Sequence, residues 1–193
     1  VGKKCINKKT GRQIKACIPT YSFGHSFNIL ELKKICDVYK IVLIEDSAEA
    51  IGTFYKKKHA GTFGKFGVLS FNGNKTITSG AGGAILTSDY KLAKKARHIV
   101  DVSKINLKNQ TIHDEMGFNY KMPNINAALG YSQFKSIHKF LNKKRKLFKN
   151  LNNNFKNYSN MISVFKEPFN KSSNYWMQLL IIKDKKIKID EII

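Results

Sequence analysis

Acidic residues are scarce in this sequence. Its 193 residues hold 13 Asp and Glu against 35 Lys and Arg, a formal net charge of +22. A surplus of that size ordinarily points to nucleic acid or an anionic surface. Arginine is scarcer still, since Arg12, Arg97 and Arg145 are the only ones. Nucleic-acid readers favour Arg for its bidentate fork, and the lysines here are scattered along the chain. With Ile and Asn also abundant, the charge reads as the compositional drift of an AT-rich genome, and no nucleic-acid partner is expected. A basic nucleic-acid-binding domain stays as a rival reading, with Lys91, Lys94, Lys95 and Arg97 on one helix face as its carrier. Cysteine is rare: Cys5, Cys17 and Cys36 are odd in number and lack CxxC spacing. They point to reduced thiols in a cytoplasmic protein and not to a disulfide frame. The five histidines show no metal-ligand spacing, so no metal is expected. No apolar run is long enough to span a bilayer, and no membrane partner is expected. The hydrophobic content of 42% nevertheless supports a packed core.

One stretch organises what is there. Phe66 to Phe71 reads as a buried strand, and Ala84-Ile85-Leu86-Thr87 reads as a second. Between them lie a polar turn with a single lysine, Asn72-Gly73-Asn74-Lys75, and the glycine-rich segment Gly80-Ala81-Gly82-Gly83. Lys75 sits between two core strands with little other charge beside it. A lysine held there loses hydration, which disfavours its charged form and makes its amine a better nucleophile. Schiff-base chemistry with an aldehyde requires such an amine. Read alone, Lys75 is equally a plain turn residue. Upstream, Ile41-Val42-Leu43-Ile44 reads as a buried, parallel strand, with Asp46 just past its carboxyl end. Ligands of open α/β sheets bind at that edge. A carboxylate there can pair with a protonated ring nitrogen, although an Asp at a strand exit can also cap the next helix. Lysine and carboxylate together are the minimal kit for pyridoxal phosphate.

Five segments carry a resemblance. Glu45-Asp46-Ser47-Ala48-Glu49-Ala50, Gly61-Thr62-Phe63-Gly64, Ser70-Phe71-Asn72-Gly73-Asn74-Lys75, Gly80-Ala81-Gly82-Gly83 and the run Gly117 to Gly130 resemble the nucleotide-sugar aminotransferases of the DegT/DnrJ type, in the family's order. The resemblance covers most of the chain from about Ile14 to Arg145. It implies an α/β fold of the aspartate-aminotransferase-like type (fold type I), with a mixed, mostly parallel sheet flanked by helices and the start of a small α+β domain. Residues 1–135 would be the later part of the cofactor-binding large domain, and residues 136–193 a linking helix with an incomplete small domain. The chain begins with Val1 and opens in mid-motif, so a piece of a longer protein is expected.

The resemblance also implies roles. Lys75 would bind pyridoxal phosphate and move the proton as acid and base. Asp46 would hold the ring nitrogen, Glu49 would lie close to the ring, and Ser70 would donate to the phosphate. Asn119 would contact the phosphate held by a second copy, so a homodimer shares each site. The substrates would be an amino donor, glutamate by preference, and a 4-keto-6-deoxy sugar on UDP or GDP, for amino-sugar or surface-polysaccharide synthesis. Relatives that dehydrate sugars typically carry His in place of this lysine, so Lys75 favours amino transfer. A catalytically degenerate remnant of the family is the alternative. Two departures stand out: Tyr21 where relatives usually have His, and Lys121 where they often have Arg, which loses the bidentate fork.

The remaining chain reads as follows. Ile14–Pro19 is a short strand, and Asn28 caps a helix over Ile29–Tyr39 with Ile29, Leu30, Leu32, Ile35, Cys36 and Val38 on one face. His25 reads as a loop surface residue, and Tyr55 to His59 as a solvated charged turn. Asp89–Val102 is an amphipathic helix with Leu92, Ala93, Ala96, Ile99 and Val100 inward, and Ser103–Glu115 is a polar loop. Asn124 or Asn126 caps one long helix running toward Phe155, on which Lys143-Lys144-Arg145-Lys146 is solvated surface. A short strand, a strand over Tyr175–Lys183 and an incipient helix close the chain.

Overall fold

The computed structural model describes residues 4–184 and residue 190. Its centre is a four-stranded sheet in the order β1-β2-β5-β6. Strand β1 (Ala16–Cys17) is short, and helix α1 (Ile29–Val38) crosses over from it to β2 (Val42–Asp46). A hairpin follows, β3 (Phe54–Tyr55) and β4 (Lys58–His59), before β5 (Phe66–Ser70) and β6 (Gly83–Leu86). Strand β2 runs parallel to both β1 and β5, whereas β6 returns antiparallel to β5. The apolar runs at Ile41–Ile44, Phe66–Phe71 and Ala84–Thr87 therefore become the adjoining strands β2, β5 and β6. Asp46 is the last residue of β2, one step inside the edge where the sequence places it. Among the described residues, β6 has no strand on its outer side.

Helix α2 (Tyr90–Val100) starts where Asp89 accepts hydrogen bonds from the Lys91 and Leu92 amides. Such a cap satisfies amides that the first helical turn leaves unpaired. The polar loop expected over Ser103–Glu115 is a hairpin, β7 (Lys104–Asn106) with β8 (Thr111–His113). The single long helix is two, α3 (Asn124–Lys135) and α4 (Ile137–Asn154), broken at Ser136. Pro123 precedes the first turn of α3, so neither Asn124 nor Asn126 caps it. Asn126 reaches instead to the Ser79 carbonyl at 2.6 Å. Asn28 precedes α1, but its side chain bonds Glu31 and Tyr55 instead of the helix amides.

After α4 come β9 (Ile162–Val164), β10 (Lys171–Ser172) and β11 (Leu180–Ile182). The strand expected from Tyr175 starts only at Leu180, because residues 173–176 are a buried turn held by side-chain hydrogen bonds. Strand β10 pairs with β3, which joins this last part of the chain to the first. The closing helix expected after Lys183 falls almost wholly outside the described residues.

The core lies between α1 and the sheet. Ile29, Cys36, Leu43, Tyr55 and Phe63 form one buried cluster, and Ile51, Ile77 and Ile137 another. Ile35 and Val38 are exposed, so the apolar face of α1 is narrower than its sequence suggests. The inward residues of α2 are only half-buried. Tyr55 belongs to the core, and the solvated part of its turn is Lys56 and Lys57, both in the left-handed region. His25 is buried between the rings of Phe165 and Tyr175, not on the surface, because the 3-10 turn at Ser22–Gly24 folds it under the last part of the chain. None of the described helices is long and apolar enough to cross a membrane.

Candidate active site

Four of the five side chains singled out from the sequence stand at one edge of the sheet. Thr20, beyond the end of β1, is in register with Asp46 at the end of β2, and Ser70 at the end of β5 lies two residues past Val68, the partner of Asp46 on the parallel neighbour. The Asp46 carboxylate accepts from the Ala48 amide at 3.2 Å and the Thr20 hydroxyl at 3.3 Å. These two bonds fix its direction and leave it acceptor capacity. The Ser70 hydroxyl oxygen takes the Asn72 amide at 3.3 Å, which keeps its own proton free to donate.

The turn after β5 brings Lys75 to the same edge. Its side chain is mostly enclosed, with 13% exposed, and its Nζ lies 3.7 Å from Glu49 Oε1. Glu49 is held in turn by the Phe23 amide, 2.6 Å from Oε2. Lys75 is therefore not free of neighbouring charge, as its sequence context suggests. Trp176 adds a second neighbour, with its ring centroid 4.3 Å from Nζ. Its place beside Lys75 needs the fold, since the two are far apart in the chain.

Directly behind Asp46 lies a buried carboxylate. Glu45 accepts from Tyr21 Oη at 2.5 Å and from the amides of Gly61, Phe63 and Gly64 at 2.9, 2.6 and 2.6 Å. Burial, and then the Glu45 bond, push the Tyr21 hydroxyl far above its usual pKa, so it stays a proton donor. The Gly61-Thr62-Phe63-Gly64 loop is tight because it wraps this carboxylate. Glycine is required in the strand behind it, since a Cβ on Gly67 would overlap the Gly61 carbonyl.

Asn119 is not brought to this cluster within the chain. It is exposed and bridges to Asp101. It lines a separate groove of about 860 Å³ with Leu69, Gly82, Lys121 and Met122. Lys121 pairs with Asp101 at 3.0 Å, which holds that carboxyl below the usual range. Gly82 lies against this groove with a positive φ, where a Cβ would meet Met122. The segment Gly80 to Gly83 is otherwise exposed, and a Cβ on Gly80 would meet nothing closer than ordinary contact.

An amine, two carboxylates and a hydroxyl are thus gathered at the carboxyl edge of parallel strands. The comparisons identify the lineage. The chain belongs to the DegT/DnrJ/EryC1/StrS aminotransferase family, whose profile matches residues 3–193. It is 33% identical over 178 residues to a GDP-perosamine synthase of Escherichia coli O157:H7, covering 92% of this chain and 48% of that protein. It is 33% identical over 146 residues to a UDP-4-amino-4,6-dideoxy-N-acetyl-beta-L-altrosamine transaminase of Helicobacter pylori, covering 74% and 37%. In fold it matches Helicobacter pylori PseC, an aminotransferase involved in the biosynthesis of pseudoaminic acid. The TM-score is 0.83 at 24% identity, over 94% of this chain and 47% of that one. The fold is that of the sugar aminotransferases, with a mixed, mostly parallel sheet flanked by helices. The chain spans about half the length of these relatives.

The residues present fit pyridoxal phosphate. Lys75 offers an amine for the aldehyde, Asp46 an oriented carboxylate for a ring nitrogen, and Ser70 an uncommitted hydroxyl proton for a phosphate oxygen.

Proposed function

We propose that the protein transfers an amino group, from glutamate by preference, to a nucleotide-linked keto-sugar such as a UDP- or GDP-4-keto-6-deoxy sugar, using pyridoxal phosphate. The observation that carries this reading is the enclosed Lys75 amine, 3.7 Å from Glu49, at the sheet edge that also presents Asp46. Bound there, the cofactor supplies an electron sink for the carbon that loses its proton. Lys75 is the base that takes that proton and the acid that returns it. Asp46 keeps its direction through Thr20 and Ala48 and accepts from the ring nitrogen. Glu49 complements positive charge beside Lys75. Ser70 donates to the phosphate, and Asn119 does so from a second copy, which fits its place away from Lys75 in its own chain. A homodimer with shared sites follows from that assignment.

Residues 1–135 form the cofactor-binding part and residues 136–193 the linking helix with part of a small domain. Amino-sugar synthesis for a surface polysaccharide suits the names of the relatives, and the unpaired Cys5, Cys17 and Cys36 suit the cytoplasm.

The test is borohydride reduction after incubation with pyridoxal phosphate, with peptide mapping by mass spectrometry. Labelling is expected on Lys75 and absent from that peptide in Lys75→Ala. With glutamate and GDP-4-keto-6-deoxymannose, amine should then appear on the sugar. Label spread evenly over many lysines would overturn the reading.

A further inference from the structure

We infer that Trp176 is a positioning residue for Lys75. Its indole face and the Glu49 carboxylate form a seat that fixes the lysine amine at the Asp46 edge and sets it apart from the other lysines. The argument starts from how firmly the ring is held. Trp176 is buried, and its Nε1–H donates to the Asn74 carbonyl at 2.7 Å, in the peptide unit just before Lys75. Its own amide donates to Asn174 Oδ1 at 2.8 Å, and its carbonyl takes Lys144 Nζ at 2.9 Å. Asn174 in turn donates to the carbonyls of Glu49 and Ile51 at 2.7 and 2.9 Å. The ring and the turn that carries Lys75 are thus tied to each other and to Glu49 through backbone atoms.

The seat complements a cation on two sides. The ring face lies 4.3 Å below Nζ, and the carboxylate 3.7 Å away. A ring face attracts an ammonium through its quadrupole, more strongly when water is excluded. Without the ring, an unbranched lysine regains the rotamers that this geometry removes. The seat therefore selects the conformation from which the amine reaches the sheet edge. Its consequence for catalysis rests on the amino-transfer reading, whereas the seat itself does not.

The chain contains one tryptophan, so tryptophan emission comes from this site alone. The experiment has two arms. Without cofactor, Lys75→Met should change the emission of Trp176, and Lys75→Arg, which keeps a cation over the ring, should return it toward wild type. Identical emission in wild type and Lys75→Met overturns the seat. In the second arm, the rate of pyridoxal phosphate labelling at Lys75 is measured after borohydride reduction. Trp176→Phe should keep it near wild type, and Trp176→Leu should lower it about fivefold, the scale of a cation–π contact, with unchanged circular dichroism. Wild-type labelling in Trp176→Leu makes the ring mere packing and overturns the inference. The Lys75 pair decides the seat if Trp176→Leu fails to fold. Scattered labelling of the wild type together with the expected emission changes counts against the amino-transfer reading and upholds the seat.

Discussion

The Glu45 carboxylate takes four hydrogen bonds at a place closed to water. A carboxylate suits this site because every neighbour is a donor. In Glu45→Gln the side-chain NH2 must face one of those donors. Bonds to a charged acceptor contribute about 1.5–3 kcal/mol each, and an unmatched buried donor adds its own cost. A loss of about 3 kcal/mol in folding stability is expected, read from urea unfolding followed by Trp176 emission. His25 presents the opposite case. Neither ring nitrogen has a partner among the described residues, and burial lowers its pKa against a smaller opposing pull from Glu167. The folded protein therefore prefers the neutral ring, and the unfolded chain binds the proton more readily. The His25 contribution is fully present above pH 6.5 and is lost as pH falls through the lower folded value. Thermal melts at pH 7.5 and 5.5 should show a smaller drop for His25→Phe than for wild type. His59, also lowered by burial, acts in the same direction in both proteins and does not obscure the difference.

Strand β5 is where several requirements meet. It pairs with β2 on one side and β6 on the other, and its Gly67 sits beside Glu45 in register. The Gly61–Gly64 loop crosses so close to it that a side chain has no room. Gly67→Ala should cost about 3 kcal/mol through overpacking against backbone that cannot yield, measured as a fall in the urea midpoint with unchanged slope. Strands β2, β5 and β6 were legible in the sequence because each lies in a short, mostly apolar run between turn residues, whereas β1 keeps only Ala16–Cys17 of the stretch read as strand. The positions of Asp46 and Lys75 at the ends of such runs were legible for the same reason, whereas Glu49 and Ser70 were singled out through the family resemblance. Hairpin β7–β8 was not, because its strands are only three residues each, and one isoleucine between polar neighbours in each, Ile105 and Ile112, is too short an alternation to stand out. The break at Ser136 was equally hidden, as nothing in Phe134-Lys135-Ser136-Ile137 opposes helix locally. Tyr175 and Trp176 read as strand by composition, yet tertiary hydrogen bonds fold them into a turn. Glu45 was quoted within a motif, but its four donors come from parts of the chain 16 to 24 residues away.

At the scale of the whole molecule, α4 adds to the β10–β3 pairing that joins the last part of the chain to the first. Arg145, which the surrounding lysines made look like solvated surface, pairs with Glu167 at 2.8 Å and donates to Ser172 and Ser173. Its neighbour Lys144 holds the Trp176 carbonyl, so two basic residues fasten the last part of the chain over the candidate site. A different feature governs how molecules meet one another. Among the described residues, strand β6 offers Gly-Ala-Ile-Leu on a side that no strand covers, with no charge or proline in it, and Ile85 is 51% exposed. Unprotected edges of this kind recruit other strands. The net charge of +22 opposes such edge-to-edge contacts, and that repulsion has a range of only about 10 Å at 0.1 M salt and about 3 Å at 1 M. Salt, which commonly keeps a basic protein in solution, should here bring it out: turbidity and light scattering rise with sodium chloride, and Ile85→Lys suppresses the rise.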